Sequence, residues 1–220
     1  MLSNVFRSVV AVGSVASVLA LVVAVQGADF ALPGNQIGYE PEQPVLFSHQ
    51  VHAGELAIAC LYCHAGAGRS RHAGIPSEQI CMNCHRFVAA PLAAVRAEEE
   101  AAAKEKRPVR AVVSPEIAKI YRAVGVDDKG KPVDGATPRP LEWVRVHNLP
   151  DFAFFDHRSH VTVGIVCATC HGPVDAMHRV RQFSDLSMGW CVNCHRQTNA
   201  TGLPNGKPAA ASTDCSTCHY

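Results

Sequence analysis

Phe155-Asp156-His157-Arg158-Ser159-His160, followed a few residues on by Cys167-Ala168-Thr169-Cys170-His171, is the stretch on which the reading of this chain turns. The second part is a Cys-x-x-Cys-His motif, in which two thiols bond covalently to a porphyrin and the next histidine reaches its iron. The first part sets two histidines three residues apart, on one side of a helical turn, just ahead of that motif. The same order stands 108 residues earlier, as Phe47-Ser48-His49-Gln50-Val51-His52 and then Cys60-Leu61-Tyr62-Cys63-His64. The chain therefore carries a duplicated module.

Working outward, three more motifs complete the set: Cys81-Met82-Asn83-Cys84-His85, Cys191-Val192-Asn193-Cys194-His195 and Cys215-Ser216-Thr217-Cys218-His219. Five copies consume all 10 cysteines. Zinc sites made of four thiolates need such pairs in twos, and five pairs leave one unmatched, whereas haem attachment uses each pair alone and needs the trailing histidine that all five have. No thiol is left over for a disulfide. The sequence thus predicts five covalently bound haem c groups, with His64, His85, His171, His195 and His219 as proximal iron ligands, in a chain exported to an oxidising compartment.

Residues 47–219 allow about 35 residues for each macrocycle, too few for an ordinary apolar core around every one. The expected fold is mainly α with much irregular coil, wrapped as a thin shell around the haems. Aromatic residues make up 6% of the chain, consistent with porphyrins supplying the large flat apolar groups. A formal net charge of +1 gives none of the basic field that nucleic-acid binding requires.

Of 12 histidines, five are proximal. His49, His52, His157 and His160 belong to the repeat and are expected as distal ligands, one of each pair on the nearer iron and the other on a neighbouring one. The fifth distal position falls to His147, in Trp143-Val144-Arg145-Val146-His147-Asn148-Leu149-Pro150-Asp151, with the thioethers of Met177 and Met188 as the alternatives. His72 and His178 lie outside the repeat and read as non-ligands. An iron with both faces occupied has no open position for substrate, so the chain reads as an electron carrier without a catalytic site of its own. No nucleotide-binding loop, catalytic triad or carboxylate pair accompanies the motifs.

Residues 8–25 form an 18-residue stretch without a charge, preceded by Arg7. It fits a retained transmembrane helix with Arg7 on the cytoplasmic side, and equally a cleaved signal peptide ending near Val25-Gln26-Gly27. Both readings export the rest. The resulting division is an anchor at 1–30, a dihaem module at 31–90, a connector at 91–146 and a trihaem module at 147–220. Within the connector, residues 93–106 read as a solvated helix, Ser114-Pro115-Glu116 as a helix start, Gly125 as its stop, and 126–140 as a loop.

The ordered set Phe47-Ser48-His49-Gln50-Val51-His52, Ala73-Gly74-Ile75-Pro76-Ser77 leading into Cys81, Trp143 to Asp151, Phe155 to His160, Cys167 to Val174 and Met188-Gly189-Trp190-Cys191 resembles the pentahaem cytochrome subunit of bacterial alternative complex III. The paired histidines are similar to those of the class III multihaem cytochromes. The resemblance favours a retained amino-terminal anchor with the haem part on the periplasmic side of the cytoplasmic membrane. It implies a place beside an iron–sulfur subunit, integral membrane subunits and a monohaem cytochrome, in a complex that oxidises quinol and passes electrons to a periplasmic acceptor or a terminal oxidase. A stand-alone membrane-anchored quinol dehydrogenase and a soluble electron shuttle are the competing expectations. Pentahaem nitrite reductases, by comparison, carry lysine in one motif; all five motifs here end in histidine. The connector is longer and more charged than the resemblance leads one to expect.

Overall fold

A computed structural model of the chain describes residues 36–219 together with Ser17. The expected amino-terminal anchor at residues 8–25 lies, Ser17 apart, outside the described residues. No helix among the described residues is long and apolar enough to cross a membrane.

The described chain is helical and coiled, and its β-pairing among those residues is confined to two isolated bridges, Val126 with Pro132 and Ala153 with His219. The helices are α1 (Cys60–Cys63), α2 (Glu78–His85), α3 (Leu92–Glu105), α4 (Pro115–Val124), α5 (His157–Thr162), α6 (Ala168–His171), α7 (Met188–Thr201) and α8 (Cys215–Cys218); a π-helical turn spans Gln50–Glu55 and a 3₁₀ turn Val174–Ala176. Each Cys-x-x-Cys motif lies in or on a helix, but α1, α6 and α8 are single turns. A helix that short does not hold itself in water; its residues stay in place because they are tied elsewhere.

The largest apolar cluster sits in the connector. Ser114 caps α4 by accepting from the Ile117 N–H, Pro115 occupies its first turn, and Gly125 ends it at φ 77°. Its inner face puts Ile120 and Tyr121 against Val45 and Met82, with Ile117, Val124, Leu141 and Trp143 around them. Met82 lies inside the second Cys-x-x-Cys motif, so this core seats site two. Two further bonds fasten it: Tyr121 Oη donates to the His85 carbonyl at 2.7 Å, and the Leu141 N–H donates to Glu78 Oε1 at 2.7 Å. Each is worth about 1 kcal/mol net and more if one partner is removed and the other left buried.

The charge run on α3 does more than face solvent. Arg107 turns back on Glu98 through two guanidinium nitrogens, and the Arg110 N–H adds a third donor at 2.8 Å. Those bonds, Arg107 first, hold the Glu98 carboxyl down at about 2. Ala102, on the same helix, is buried.

Elsewhere the polypeptide buries little of itself. Only eight apolar residues are buried in the described chain. Large apolar side chains stay exposed beside the motifs instead: Leu61 and Tyr62 within site one, Phe87 and Val88 just after site two, Val166 just before site three, Met188 just before site four. This is the pattern expected of a shell whose interior is made by bound aromatic macrocycles.

Candidate haem-binding sites

The two copies of the repeat adopt one geometry. Phe47 lies edge-on to His49 at 4.8 Å and stacks on His52 at 4.3 Å; Phe155 lies edge-on to His157 at 4.8 Å and stacks on His160 at 4.6 Å. The second histidine of each pair directs Nδ1 to the backbone carbonyl four residues before it, His52 to Ser48 at 2.8 Å and His160 to Asp156 at 2.9 Å. The local helices differ, π in the first copy and α in the second. In the first copy a Cβ on Gly54 would meet the Asp175 carbonyl oxygen, so only glycine admits the close approach of the Val174–Ala176 turn. The Gln50 N–H donates to the Met177 carbonyl at the same contact.

Each repeat histidine faces one proximal histidine. His49 faces His64 with ring centroids 6.5 Å apart and planes 5° from parallel, and His157 faces His171 at 6.3 Å and 7°. His52 faces His85 at 6.1 Å, and His160 faces His195 at 6.1 Å. Two imidazole nitrogens bound about 2 Å on either side of one metal ion, with about 1.1 Å more from nitrogen to ring centre, put the centroids about 6.2 Å apart. Among the described residues no three His, Cys, Asp or Glu side chains converge to hold a metal by themselves. Two axial imidazoles beside a thiol pair is the donor set that a porphyrin iron needs, because the macrocycle brings the four equatorial nitrogens.

The other ring nitrogens fit that use. His64 Nδ1 lies 2.7 Å from the Gly74 carbonyl, His85 Nδ1 2.8 Å from Val88, His195 Nδ1 2.6 Å from Ser212 and His157 Nδ1 2.9 Å from Arg71. A ring that donates through Nδ1 presents an unprotonated Nε2, and the outer hydrogen bond fixes its orientation. His49 is the exception: its Nδ1 is buried and unpartnered. Burial, then His64 and His52, lowers His49 to about 4, and burial, then His147, His157 and His64, lowers His171 to about 4. Both rings are thereby neutral near pH 7, the form that binds a metal.

Thiol neighbours connect the sites. Cys63 is raised by burial and then by Cys60 and by Cys84 of site two; Cys167 of site three is raised by burial and by a contact with Cys60 that includes a hydrogen bond. Burial, then Cys194 and Cys191 of site four, pushes Cys170 up to about 11, and Cys191 has Cys218 of site five beside it. The attachment sites are thus linked in the order two, one, three, four, five. The step from one to three joins the halves, and the His157 Nδ1 bond to Arg71 lies at the same junction, with Arg71 over the Phe154 ring at 4.3 Å.

The fifth site differs. His219 Nδ1 lies 3.3 Å from the Phe152 carbonyl, and the ring packed beside it is Phe152, at 5.8 Å. His147, the residue expected at its far side, packs edge-on against His171, with centroids 4.4 Å apart and its Nε2 3.3 Å from His171 Nδ1. Met177 is buried at 7% exposure beside the π-helical turn, whereas Met188, at the start of α7, is 70% exposed. His178 Nδ1 bonds Ser48 Oγ at 2.9 Å, and His72 is exposed. The contact of His147 with His171 and the junction of sites one and three carry no signal in the sequence, since each joins residues far apart in the chain.

Covalent attachment motifs, facing imidazoles and a helical shell of this kind define a multihaem c-type cytochrome, with haem c as its cofactor. Comparison with known proteins agrees. Residues 153–220 match the family described as cytochrome c7 and related cytochrome c, which spans the second histidine pair and sites three to five. The chain is also similar to the menaquinone reductase multiheme cytochrome c subunit of Nitratidesulfovibrio vulgaris (strain Hildenborough), 25% identical over 219 residues, covering 90% of this chain and 86% of that one.

Proposed function

We propose that the chain binds five haem c groups and relays single electrons as the periplasmic-facing subunit of a quinol-oxidising membrane complex of the alternative complex III type. The observation that carries this reading is the set of four imidazole pairs, each at the spacing of a shared metal, on attachment sites whose thiols neighbour one another in series. When bound, the haems supply reversible one-electron iron chemistry. The chain's own residues would do the rest: the thiols of each Cys-x-x-Cys pair would fix the group, His49 with His64, His52 with His85, His157 with His171 and His160 with His195 would hold its iron, and backbone carbonyls keep those rings oriented. Held so, those four sites would leave no place for a substrate. The similarity to a subunit of a menaquinone reductase supports membership of a quinone-linked complex. In this reading an amino-terminal helix holds the chain at the membrane, and its partners are an iron–sulfur subunit, integral membrane subunits and a monohaem cytochrome.

The fifth distal position goes, in this proposal, to Met188. It is exposed, it stands one turn before Cys191, and Cys191 lies beside Cys218 of site five. Met177 is already packed within the protein. A thioether would give site five the highest potential of the series and mark it as one end of it. The expected result is a near-infrared methionine–iron charge-transfer band that disappears in Met188→Leu and survives in Met177→Leu; the reverse pattern would assign the ligand to Met177.

The relative's name favours a second reading, in which electrons run inward to reduce quinone. Purified chain and purified complex, each mixed with a reduced quinol analogue, separate these ideas. The proposal expects haem reduction in the complex and none in the isolated chain. Reduction of the isolated chain would make it a quinol dehydrogenase in its own right. A complex that quinol leaves oxidised, but that passes electrons from a soluble donor to quinone, would establish the inward direction.

A further inference from the structure

We infer that His147 is the hydrogen-bond acceptor that fixes the proximal imidazole of the third site and sets the potential of the haem held there. The inference rests on the reading of His171 as that haem's proximal ligand. At the four other sites the proximal Nδ1 meets a backbone carbonyl: Gly74, Val88, Ser212 and Phe152. Only His171 meets a side chain, the His147 Nε2 at 3.3 Å, with the two rings 81° apart.

The proton placement follows from the ligand role. If the His171 Nε2 faces the iron, its one proton is on Nδ1, so His171 donates and His147 Nε2 accepts. The His147 proton is then on its own Nδ1. An imidazole nitrogen is a more basic acceptor than an amide carbonyl and draws the shared proton further from His171. The ligand gains electron density toward the metal, which favours the ferric form and lowers the potential.

The chain holds His147 in place for this task. Trp143, four residues before it, packs on the connector core, the Val144 backbone is bonded in both directions to the Gln43 amide at 2.9 and 3.0 Å, and Arg145 Nη1 donates to Asn148 Oδ1 at 2.9 Å. The segment is thus tied to the rest of the protein just ahead of the histidine, and Arg145 and Asn148 bond across it. It meets His171 at Nδ1, the nitrogen left over when Nε2 serves as the ligand atom, and so acts on the third site through that ring.

The test uses holoprotein with its full complement of haem, titrated by optical and electron paramagnetic resonance spectroscopy. His147→Phe keeps an aromatic ring but removes the acceptor. One haem is expected to show its ferric-to-ferrous equilibrium shifted at least tenfold toward ferrous, 59 mV for a one-electron couple, with the number of low-spin haems the same as in wild type. His147→Gln, whose amide oxygen can accept, is expected to recover part of that shift, which a loss of packing alone does not explain. Unchanged potentials in His147→Phe would overturn the assignment. So would a new high-spin ferric signal, because it would make His147 an iron ligand. Wild-type protein without covalent haem would remove the reading on which the assignment stands, a result distinct from either.

Discussion

His157→Ala is expected to turn one haem in five from low-spin to high-spin while leaving all five covalently attached. The His157 ring faces His171 at 6.3 Å and 7°, the arrangement of two axial ligands on one iron. His147 is nearby, but its Nε2 is 3.3 Å from His171 Nδ1 and is already engaged there. Ligand loss therefore leaves the third site with one imidazole, and electron paramagnetic resonance of the oxidised protein will show a high-spin signal accounting for about a fifth of the iron. Added imidazole should restore the low-spin spectrum, since it replaces the missing donor. The same variant loses the His157 Nδ1 bond to the Arg71 carbonyl at the junction of the halves. A drop in melting temperature, not rescued by imidazole, is expected alongside. An unchanged spin distribution would show that His157 is not the ligand.

The second large effect is on stability. Gly172 follows His171 directly and has φ 69° and ψ −165°, a backbone region open almost only to glycine. A Cβ there would lie 2.3 Å from Phe183 Cγ and 2.8 Å from Phe183 Cβ. Because the clash includes the root of the Phe183 side chain, a rotation of its ring cannot relieve it. Gly172→Ala thus combines backbone strain of about 1–3 kcal/mol with a steric clash of about 1–3 kcal/mol. The expected loss is about 2–6 kcal/mol in denaturant unfolding of the holoprotein. Gly206→Ala is the control, with a similar positive φ of 78° and nothing within 4 Å of the added carbon. It should cost only the strain; equal losses in both would mean that the contact with Phe183 does not matter.

Local signals in the sequence were enough for the elements that depend on local chemistry. Ser114, Pro115 and Gly125 bound α4 where capping rules put its ends, and α3 runs one residue ahead of the span expected from its composition. The duplicated Phe-x-His-x-x-His motif marks the four histidines that face proximal histidines, one of each pair at the nearer site and the other at a neighbour. What the sequence could not carry was the fold of one half against the other. The contact of Cys60 with Cys167, the bond from His157 to Arg71 and the seat of His147 on His171 each join distant residues without a periodic pattern to mark them. His147 shows the limit: counting histidines leaves it available as a ligand, and no local pattern marks its contact with His171. The clamp on Glu98 is similar, since a run of like charges reads as a solvated face until Arg107 is seen folded back on it.

Intact mass of the mature holoprotein, recorded with its optical spectrum, tests the central claim most directly. Haem on every thiol pair predicts a mass above that of the polypeptide by five haem groups, a Soret band, and low-spin bis-imidazole signals for at least four of the irons. A mass equal to that of the bare chain, or fewer than five attached haems in protein purified from its own host, would contradict it.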